Sequence, residues 1–302
     1  MDQAVIETTD LTKTYGSSRG ISEVNLTVRP GEVYGFLGPN GAGKTTTIRL
    51  LLGLIRPTSG SILLFGQPAR THRREAAKLT GYVPGDVALY RDLSGEAYLS
   101  HLLALRTGLR DKAATQRLQR LQSRFQIDLS RKIKTYSKGM KQAVAIIQAF
   151  MHGPKLVIMD EPTSGLDPIM QETVYDLLLE ERDKGHAIFF STHVLSEVER
   201  VCDRVGIIKD GRLIRVEELS SRRSFMGKKI ILDLETDPAL LLDHIRALPG
   251  VADPRQAGPN RIQLFFKGRI KDFLSLIAAE DIRDLTCLPP TLEDFFFSLY
   301  EG

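Results

Sequence analysis

The chain contains only two cysteines among its 302 residues, and it has no long apolar run. Cys202 and Cys287 show no spacing typical of a metal or redox site, which argues against a disulfide framework and favours a reducing compartment. The longest apolar clusters, such as "LLLGLI", are far shorter than the roughly 18 residues that a membrane helix needs. The acidic N-terminal segment "MDQAVIETTD" does not resemble a signal peptide. We therefore expect a cytosolic chain that works at a membrane only through another chain.

An excess of one charge sign is also missing. The 41 basic and 37 acidic residues give a formal net charge of +4, and the basic residues are scattered along the chain. This pattern is typical of a solvated surface and predicts no nucleic-acid partner. Hydrophobic residues make up 42% and charged residues 26%, as in folded globular proteins. The length is sufficient for one large domain and a smaller one.

The apolar segments predict an α/β domain over residues 1–220. "VIETTDLTKTY" and "ISEVNLTVRPG" alternate apolar and polar residues, which indicates half-buried, antiparallel strands at the N-terminus. "EVYGFLG", "KLVIMD", "HAIFFST" and "RVGIIKDG" read as buried strands with helices between them, which is typical of a parallel sheet. Residues 94–152 have helical periodicity instead, and we interpret them as a helical insert in this core.

Residues 221–302 have a different pattern, and the polar stretch "ELSSRRS" at the boundary is the predicted linker. Their segments are ordered β-α-β-β-α-β, which predicts a small α+β domain of the ferredoxin-like type. A final helix is expected over "TLEDFFFSLY", with Thr291 as its N-cap. We expect a group of phenylalanines in the core of this domain, with a docking face as the alternative. They are Phe265, Phe266, Phe273 and Phe295–Phe297.

The segment "GPNGAGKT" fits the phosphate-binding loop pattern at every fixed position, between a predicted strand and a predicted helix. Its glycines let the backbone wrap a phosphate, and the following helix N-terminus favours an anion. The pattern assigns Lys44 to the β- and γ-phosphates of a nucleotide and the Thr45 hydroxyl to Mg²⁺. The predicted nucleotide contacts in this segment are Gly38, Pro39, Asn40, Gly41, Ala42, Gly43, Lys44, Thr45 and Thr46.

Two adjacent carboxylates, Asp160 and Glu161, follow the apolar run in "KLVIMDEPTSGLDP". Without other motifs, they would be interpreted as solvated acids at the end of a strand. A bound cation with its nucleotide would explain why two negative charges lie side by side there. We expect the strand of Asp160 to lie beside the phosphate-loop strand, so that Asp160 and Thr45 hold Mg²⁺. Glu161 is expected to point elsewhere and to polarise a water that attacks the γ-phosphate.

From Val5 to Glu218 these motifs and their order resemble the nucleotide-binding subunit of ABC transporters. "SKGMKQ" is similar to the signature motif of that family, usually written LSGGQ, and "TSGLD" resembles its D-loop. The resemblance implies a P-loop NTPase of the ABC ATPase type that binds ATP and Mg²⁺. His193, in "STHVLSEVE", matches the switch histidine, and Tyr15 matches the aromatic residue that stacks on adenine. The motifs also assign Ser137, Lys138, Gly139, Met140 and Asp167 to the nucleotide.

Two segments depart from the family pattern. The signature-like motif has Lys138 and Met140 on either side of Gly139, a form similar to that of ATPases paired with ABC-2-type permeases. In "GYVPGDVALY" the family usually has a glutamine after the proline, where this chain has Gly85 and Asp86. Gly85 has no side chain to ligate a metal. Asp86 either contacts Mg²⁺ through water or caps a turn, and we favour the turn.

The resemblance therefore implies the ATPase subunit of an ABC-2-type membrane exporter, peripheral on the inner face of the cell membrane. It implies a head-to-tail pair with a second copy or a sister chain, and an integral permease on a separate chain that docks at the helical insert. Two alternatives are a soluble ABC ATPase acting on a non-transport target and a nucleotide-gated module that barely hydrolyses ATP.

Overall fold

The structure is a computed structural model that describes residues 3–16, 18–108, 111–219, 227–235, 237–278 and 280–288. The chain divides into two units, Met1–Glu217 and Glu218–Gly302. The first ten strands are β1 (Ile6–Tyr15), β2 (Ser18–Val28), β3 (Val33–Leu37), β4 (Ser59–Leu64), β5 (Gln67–Pro68), β6 (Thr80–Val83), β7 (Leu156–Asp160), β8 (Ala187–Thr192), β9 (Arg204–Lys209) and β10 (Arg212–Glu218). The first seven helices are α1 (Lys44–Leu51), α2 (Arg73–Leu79), α3 (Gly95–Thr107), α4 (Lys112–Phe125), α5 (Lys138–Phe150), α6 (Pro168–Asp183) and α7 (Leu195–Val201).

The predicted buried strands form the middle of a six-stranded sheet with the order β10-β9-β3-β8-β7-β6. From β9 to β6 the strands pair in parallel. Every residue of β3, β7 and β8 is buried, as is typical of a parallel sheet covered on both faces. The α/β core is therefore confirmed, but one predicted neighbour is wrong. β8, which comes later in the chain, lies between β3 and β7. All three strands are apolar, so the sequence alone does not indicate their order in the sheet.

A second, antiparallel sheet has the order β2-β1-β4-β5 and contains the two N-terminal strands that alternate apolar and polar residues. Its buried side chains share one core with α1 and with the parallel sheet. Ile6 and Leu26 from this sheet, Ile48 from α1, and Phe36 and Phe189 from the parallel sheet belong to that core. This packing fixes the start of α1 against both sheets.

Two core elements, α2 and β6, were not predicted from the sequence. A glycine such as Gly81 is typical of a turn, but in the short strand β6 it allows the backbone of α5 to pack closely against the strand. A Cβ at this position would come 2.2 Å from the carbonyl oxygen of Ala149 on α5. The glycine therefore lets a helix of the insert pack onto the edge strand of the sheet. The strands β5 and β10 were also missed.

The segment predicted to be a helical insert contains α3, α4 and α5, and it lies between β6 and β7 in the chain. Each of these helices starts with a polar cap. Ser94 Oγ accepts from Ala97 N at 3.2 Å, and Asp111 Oδ1 accepts from Ala114 N at 2.9 Å. Over the described residues, no helix combines the length and apolar character needed to cross a membrane.

The second unit has the predicted β-α-β-β-α-β order. Its elements are β11 (Lys228–Leu234), α8 (Pro238–Arg246), β12 (Val251–Gly258), β13 (Arg261–Phe266), α9 (Ile270–Ile277) and β14 (Ile282–Leu288). The strands form an antiparallel sheet with the order β12-β13-β11-β14. Phe265, Phe266 and Phe273 are buried as predicted. The predicted final helix with Thr291, and Phe295–Phe297, lie outside the described residues.

The buried carboxylate of Glu181 at the end of α6 makes a pH-dependent contribution to stability. Burial by itself would raise the pKa of Glu181, but hydrogen bonds with Lys184 Nζ (2.6 Å) and His186 Nδ1 (2.7 Å) hold the pKa below its ordinary value. Because the folded-state pKa is depressed, this contribution is fully present above the ordinary value of about 4.3. It is lost as the pH falls through the folded-state pKa.

We expect Glu181→Gln to cost roughly 1–3 kcal/mol of stability near neutral pH, because two donors lose a charged acceptor. The difference from the parent chain should shrink below about pH 4, where the parent carboxylate also becomes protonated. Thermal unfolding of both chains from neutral pH to below about pH 4 measures this difference in stability. The matched control is Glu180→Gln, whose exposed ion pair with Arg124 contributes little. A difference for Glu181→Gln that stays constant on acidification would contradict the assignment.

Candidate functional site

The loop between β3 and α1 has the geometry of an anion cradle. Gly43 precedes α1 with a φ of +107°, a conformation that residues with a side chain rarely adopt, and a Cβ there would come 2.7 Å from Ile21 Cγ2. A Cβ on Gly38 would come 2.3 Å from the carbonyl oxygen of Ile208 in β9. Gly43 is therefore needed for its backbone conformation, and both glycines are needed because a side chain would clash with neighbouring residues. The N–H groups at the start of α1 are left to bind an anion.

Lys44, the first residue of α1, turns its ammonium group back over this loop. Nζ donates hydrogen bonds to Gly38 O at 2.7 Å and to Pro39 O at 3.2 Å. It also lies 3.5 Å from Glu161 Oε1, and the Lys44 side chain is only 5% exposed. A cation is therefore held in a fixed position inside the cradle, where it can offset the charge of a phosphate.

An open cavity of about 600 Å³ lies against the loop, within the size range of small-ligand sites. It is lined by most of the nucleotide contacts predicted in the phosphate loop, by Tyr15 and by both carboxylates. These residues are Tyr15, Asn40, Gly41, Gly43, Lys44, Thr45, Thr46, Asp160 and Glu161. Gly38, Pro39 and Ala42 belong to the loop but do not line the cavity. Tyr15 is 46% exposed, and Lys13 Nζ lies 5.2 Å from the centre of its ring.

Asp160 is buried at the end of β7 and faces the start of α1. Its Oδ2 accepts from Thr45 Oγ1 at 2.8 Å, and its Oδ1 accepts from Ser191 Oγ at 2.5 Å. Asp160 and Thr45 therefore meet as predicted, although β8 lies between β7 and the phosphate-loop strand β3. These two oxygen donors fit Mg²⁺, which is usually held by one or two protein oxygens with water and phosphate as its other ligands. Within the described ranges there is no cluster of three or more acidic, histidine or cysteine side chains that would indicate a different metal.

Glu161 points away from Asp160 because the backbone turns between them. Glu161 has a φ of +47°, a left-handed conformation that is uncommon for a residue with a side chain. Its Oε1 lies 3.1 Å from His193 Nδ1, and His193 is half-exposed. A carboxylate that contacts both a histidine and a lysine at a phosphate cradle is well placed to accept a proton from an attacking water.

The signature-like residues lie in another part of the same unit. Ser137, Lys138, Gly139, Met140 and Asp167 line a second cavity, of about 560 Å³. None of these five lines the cavity at the phosphate loop. Ser137 Oγ caps α5 by accepting from Met140 N at 3.2 Å, and Asp167 Oδ1 caps α6 by accepting from Met170 N at 2.8 Å. Their predicted contacts with nucleotide therefore belong to a different surface from that of Lys44.

Gly85 and Asp86 form a bend at the edge of the first cavity. A Cβ on Gly85 would come 3.3 Å from Asp160 Oδ2, so the glycine leaves room beside that carboxylate. The turn cap that we favoured for Asp86 is wrong. Its carboxylate accepts no hydrogen bond from the residues that the structure describes, and it lines the cavity instead.

Three buried polar residues that support the site were missed in the sequence. Ser191 donates to Asp160, and Gln142 Nε2 on α5 donates to Pro162 O at 2.9 Å in the loop after Glu161. Glu197 on α7 accepts hydrogen bonds from Thr163 and Thr192. A polar residue inside an otherwise apolar strand or helix face was the available signal for Ser191 and Gln142.

The chain is similar in sequence to a known protein family and to several of its members. The family profile described as "ABC transporter" matches residues 21–164. The bacitracin transport ATP-binding protein BcrA of Bacillus licheniformis is 41% identical over 214 residues, which cover 70% of this chain and 68% of that protein. The ABC transporter ATP-binding protein YhaQ of Bacillus subtilis is 30% identical over 291 residues, 95% of each chain.

Solved structures give a consistent result. One described as the ATP-binding subunit of an ABC transporter is 34% identical, has a TM-score of 0.66, and the match covers 72% of this chain and 92% of that chain. A dimeric ATP-binding cassette in a post-hydrolysis state with ADP and Pi has a TM-score of 0.64, with 71% of this chain and 98% of that chain covered. At 24% identity, the second likeness supports the fold alone.

Proposed function

Because the chain belongs to the ABC transporter family of ATP-binding proteins, we propose that it hydrolyses Mg²⁺-bound ATP to power an ABC-2-type membrane exporter. The chain is an ABC ATPase. The observation that carries the proposal is the position of the Glu161 carboxylate at the phosphate loop, 3.1 Å from His193 Nδ1 and 3.5 Å from Lys44 Nζ. Family membership supplies the reaction class, and this constellation supplies the residues for it.

Each part of the site has a separate task in this reaction. The loop backbone and Lys44 bind the β- and γ-phosphates and offset their charge, and Tyr15 stacks on the adenine. Glu161 orients a water toward the γ-phosphate and accepts its proton, with His193 beside it. Mg²⁺, held by Thr45 and Asp160, would neutralise phosphate charge when bound.

We further propose that two ATPase chains pair head to tail around each ATP. The support is that Lys44 and Ser137 line different cavities, so one chain offers a phosphate loop at one surface and a capped helix start at another. A γ-phosphate in the loop of one chain would be closed from water by the N-terminus of α5 in the other. The second chain is another copy or a sister chain.

The exporter part of the proposal rests on the relatives and on the surface of the helical insert. Leu105 on α3 is 82% exposed, and Tyr90 in the loop before α3 is 69% exposed. We assign these two exposed side chains to contact with a permease on a separate chain. The chain would then lie at the inner face of the cell membrane. The name of the relative BcrA makes bacitracin the first substrate to test.

The test is coexpression and copurification with an ABC-2-type permease, followed by reconstitution in lipid vesicles. We expect the two chains to elute together and bacitracin to stimulate ATP turnover only when both are present. Bacitracin should accumulate in inside-out vesicles only with ATP, and the Lys44→Ala chain is the control for ATP-independent leakage. An ATPase that retains no membrane chain and instead associates with ribosomes or DNA would contradict the exporter assignment.

A further inference from the structure

Glu197 on α7 is a buried carboxylate that the proposed reaction does not use. Its side chain is 6% exposed and, within the described residues, it forms no ion pair. A buried carboxylate of this kind requires several hydrogen-bond donors to offset its lost hydration. Glu197 has three, and all are hydroxyl groups. Oε1 accepts from Thr163 Oγ1 and from Tyr175 OH at 3.4 Å, and Oε2 accepts from Thr192 Oγ1 at 2.5 Å.

Two of these donors belong to the segments that carry the proposed hydrolytic residues. Thr163 lies two positions after Glu161, and Thr192 immediately precedes His193. Thr192 Oγ1 also accepts from Val194 N at 3.0 Å, which fixes the backbone on the other side of His193. One carboxylate therefore ties together the two segments whose side chains meet at 3.1 Å.

The third donor differs from the other two. Tyr175 lies on α6 and belongs to neither segment, although it bonds to the same oxygen as Thr163. Burial and the nearby Glu197 carboxylate raise the pKa of Tyr175, so its phenol remains a donor. Removing its hydroxyl weakens the support of Glu197 without detaching either segment. This makes Tyr175 a matched control.

The segment after Glu161 needs such support. Glu161 has an uncommon left-handed backbone conformation, which persists only where the surrounding structure holds it. Gln142 holds Pro162 O from one side, and Glu197 holds Thr163 from the other. Lys44 Nζ is held by Gly38 O and Pro39 O within the phosphate loop. The loop also contacts the His193 segment, because Gly38 N donates to Thr192 O at 3.3 Å, but this main-chain hydrogen bond uses neither the Thr192 hydroxyl nor Glu197.

We propose that Glu197 is a positioning residue that holds the Glu161 and His193 segments in register for ATP hydrolysis. The inference rests on the proposed hydrolytic role of Glu161 and deepens it. We call the hydrogen bonds from Thr163 and Thr192 to Glu197 the clamp. Because the phosphate loop is held by other hydrogen bonds, loss of the clamp should lower kcat and leave ATP binding almost unchanged. The same loop continues into Gly165, Leu166 and Asp167 of the second cavity, so the clamp also connects the hydrolytic residues to the proposed pairing surface.

The test compares isosteric substitutions at the two segment hydroxyls in the full chain. Thr163→Val and Thr192→Val each remove one hydroxyl, and we expect kcat to fall roughly tenfold to a hundredfold, as for a small misplacement of reacting groups. KM and the dissociation constant for ATP should change little. Thr163→Ser and Thr192→Ser keep the hydroxyl and should restore kcat. Tyr175→Phe should leave kcat close to that of the parent chain.

A further substitution, Glu197→Gln, keeps the size of the side chain and tests the proposal if a valine variant fails to fold. It should show the same fall in kcat with a nearly unchanged ATP affinity. Unchanged kcat in the valine variants, or an equal fall in Tyr175→Phe, would overturn the positioning role. Failure of the unmodified chain to turn over ATP would instead contradict the proposed function, and the proposed role of Glu197 would fail with it.

Discussion

Replacing Lys44 by alanine is expected to reduce ATP turnover to background and to weaken ATP binding. Lys44 Nζ is buried at the centre of the phosphate loop, within hydrogen-bonding distance of Gly38 O and Pro39 O. Arg49 also lines the cavity, but only Lys44 is bonded to the loop and lies within ion-pair distance of Glu161 in the part of the chain that the structure describes. Charge on the β- and γ-phosphates would therefore lose its fixed cation. Phosphate release and calorimetric titration with ATP measure the two effects.

The matched control is Lys78→Ala, at an exposed position near the end of α2. It removes the same charge from the chain but none from the cavity, so turnover should remain at the parent level. Hydrolysis by Lys44→Ala at a rate near that of the parent chain would remove the phosphate-loop interpretation. A large loss in both variants would indicate a nonspecific effect of net charge.

The strands that position the site could be predicted because their chemistry is local. β3, β7 and β8 are apolar over nearly their whole length, and the glycine pattern between β3 and α1 has few other structural meanings. The order of the strands could not be predicted in the same way. Apolar character shows that a strand is buried but not which strand it pairs with, and β8 accordingly took the place expected for β7 beside β3.

The supporting contacts of the site were harder to predict, because their partners are distant in the sequence. Glu197 looks like an ordinary acidic residue on an amphipathic helix until Thr163, Tyr175 and Thr192 converge on it. Gly81 looks like a turn until the carbonyl oxygen of Ala149 approaches it. Residue type predicts the groups that would bind a nucleotide, whereas the tertiary packing decides which groups hold them in place.

Replacing Glu161 by glutamine is expected to slow ATP turnover by roughly a hundred- to ten-thousand-fold, the usual contribution of a general base. Glutamine keeps the size of the side chain and an oxygen that can accept a hydrogen bond from His193, but it cannot take a proton from water. Lys44, Thr45 and Asp160 are unchanged, so ATP should still bind. Single-turnover hydrolysis and equilibrium binding separate the two effects. Turnover close to the parent rate would show that another residue is the base.

This slow variant should also reveal the proposed pairing of two chains. Because the γ-phosphate stays in place, Glu161→Gln should form a dimer with ATP, and it should be a monomer without nucleotide and largely so with ADP. Light scattering after gel filtration measures this. Adding Ser137→Glu should abolish the ATP dimer, since a carboxylate at the start of α5 would face the γ-phosphate of the other chain. Glu180→Gln in place of Ser137→Glu is the control and should leave the dimer intact. A dimer that persists with Ser137→Glu would place the signature-like motif away from the interface.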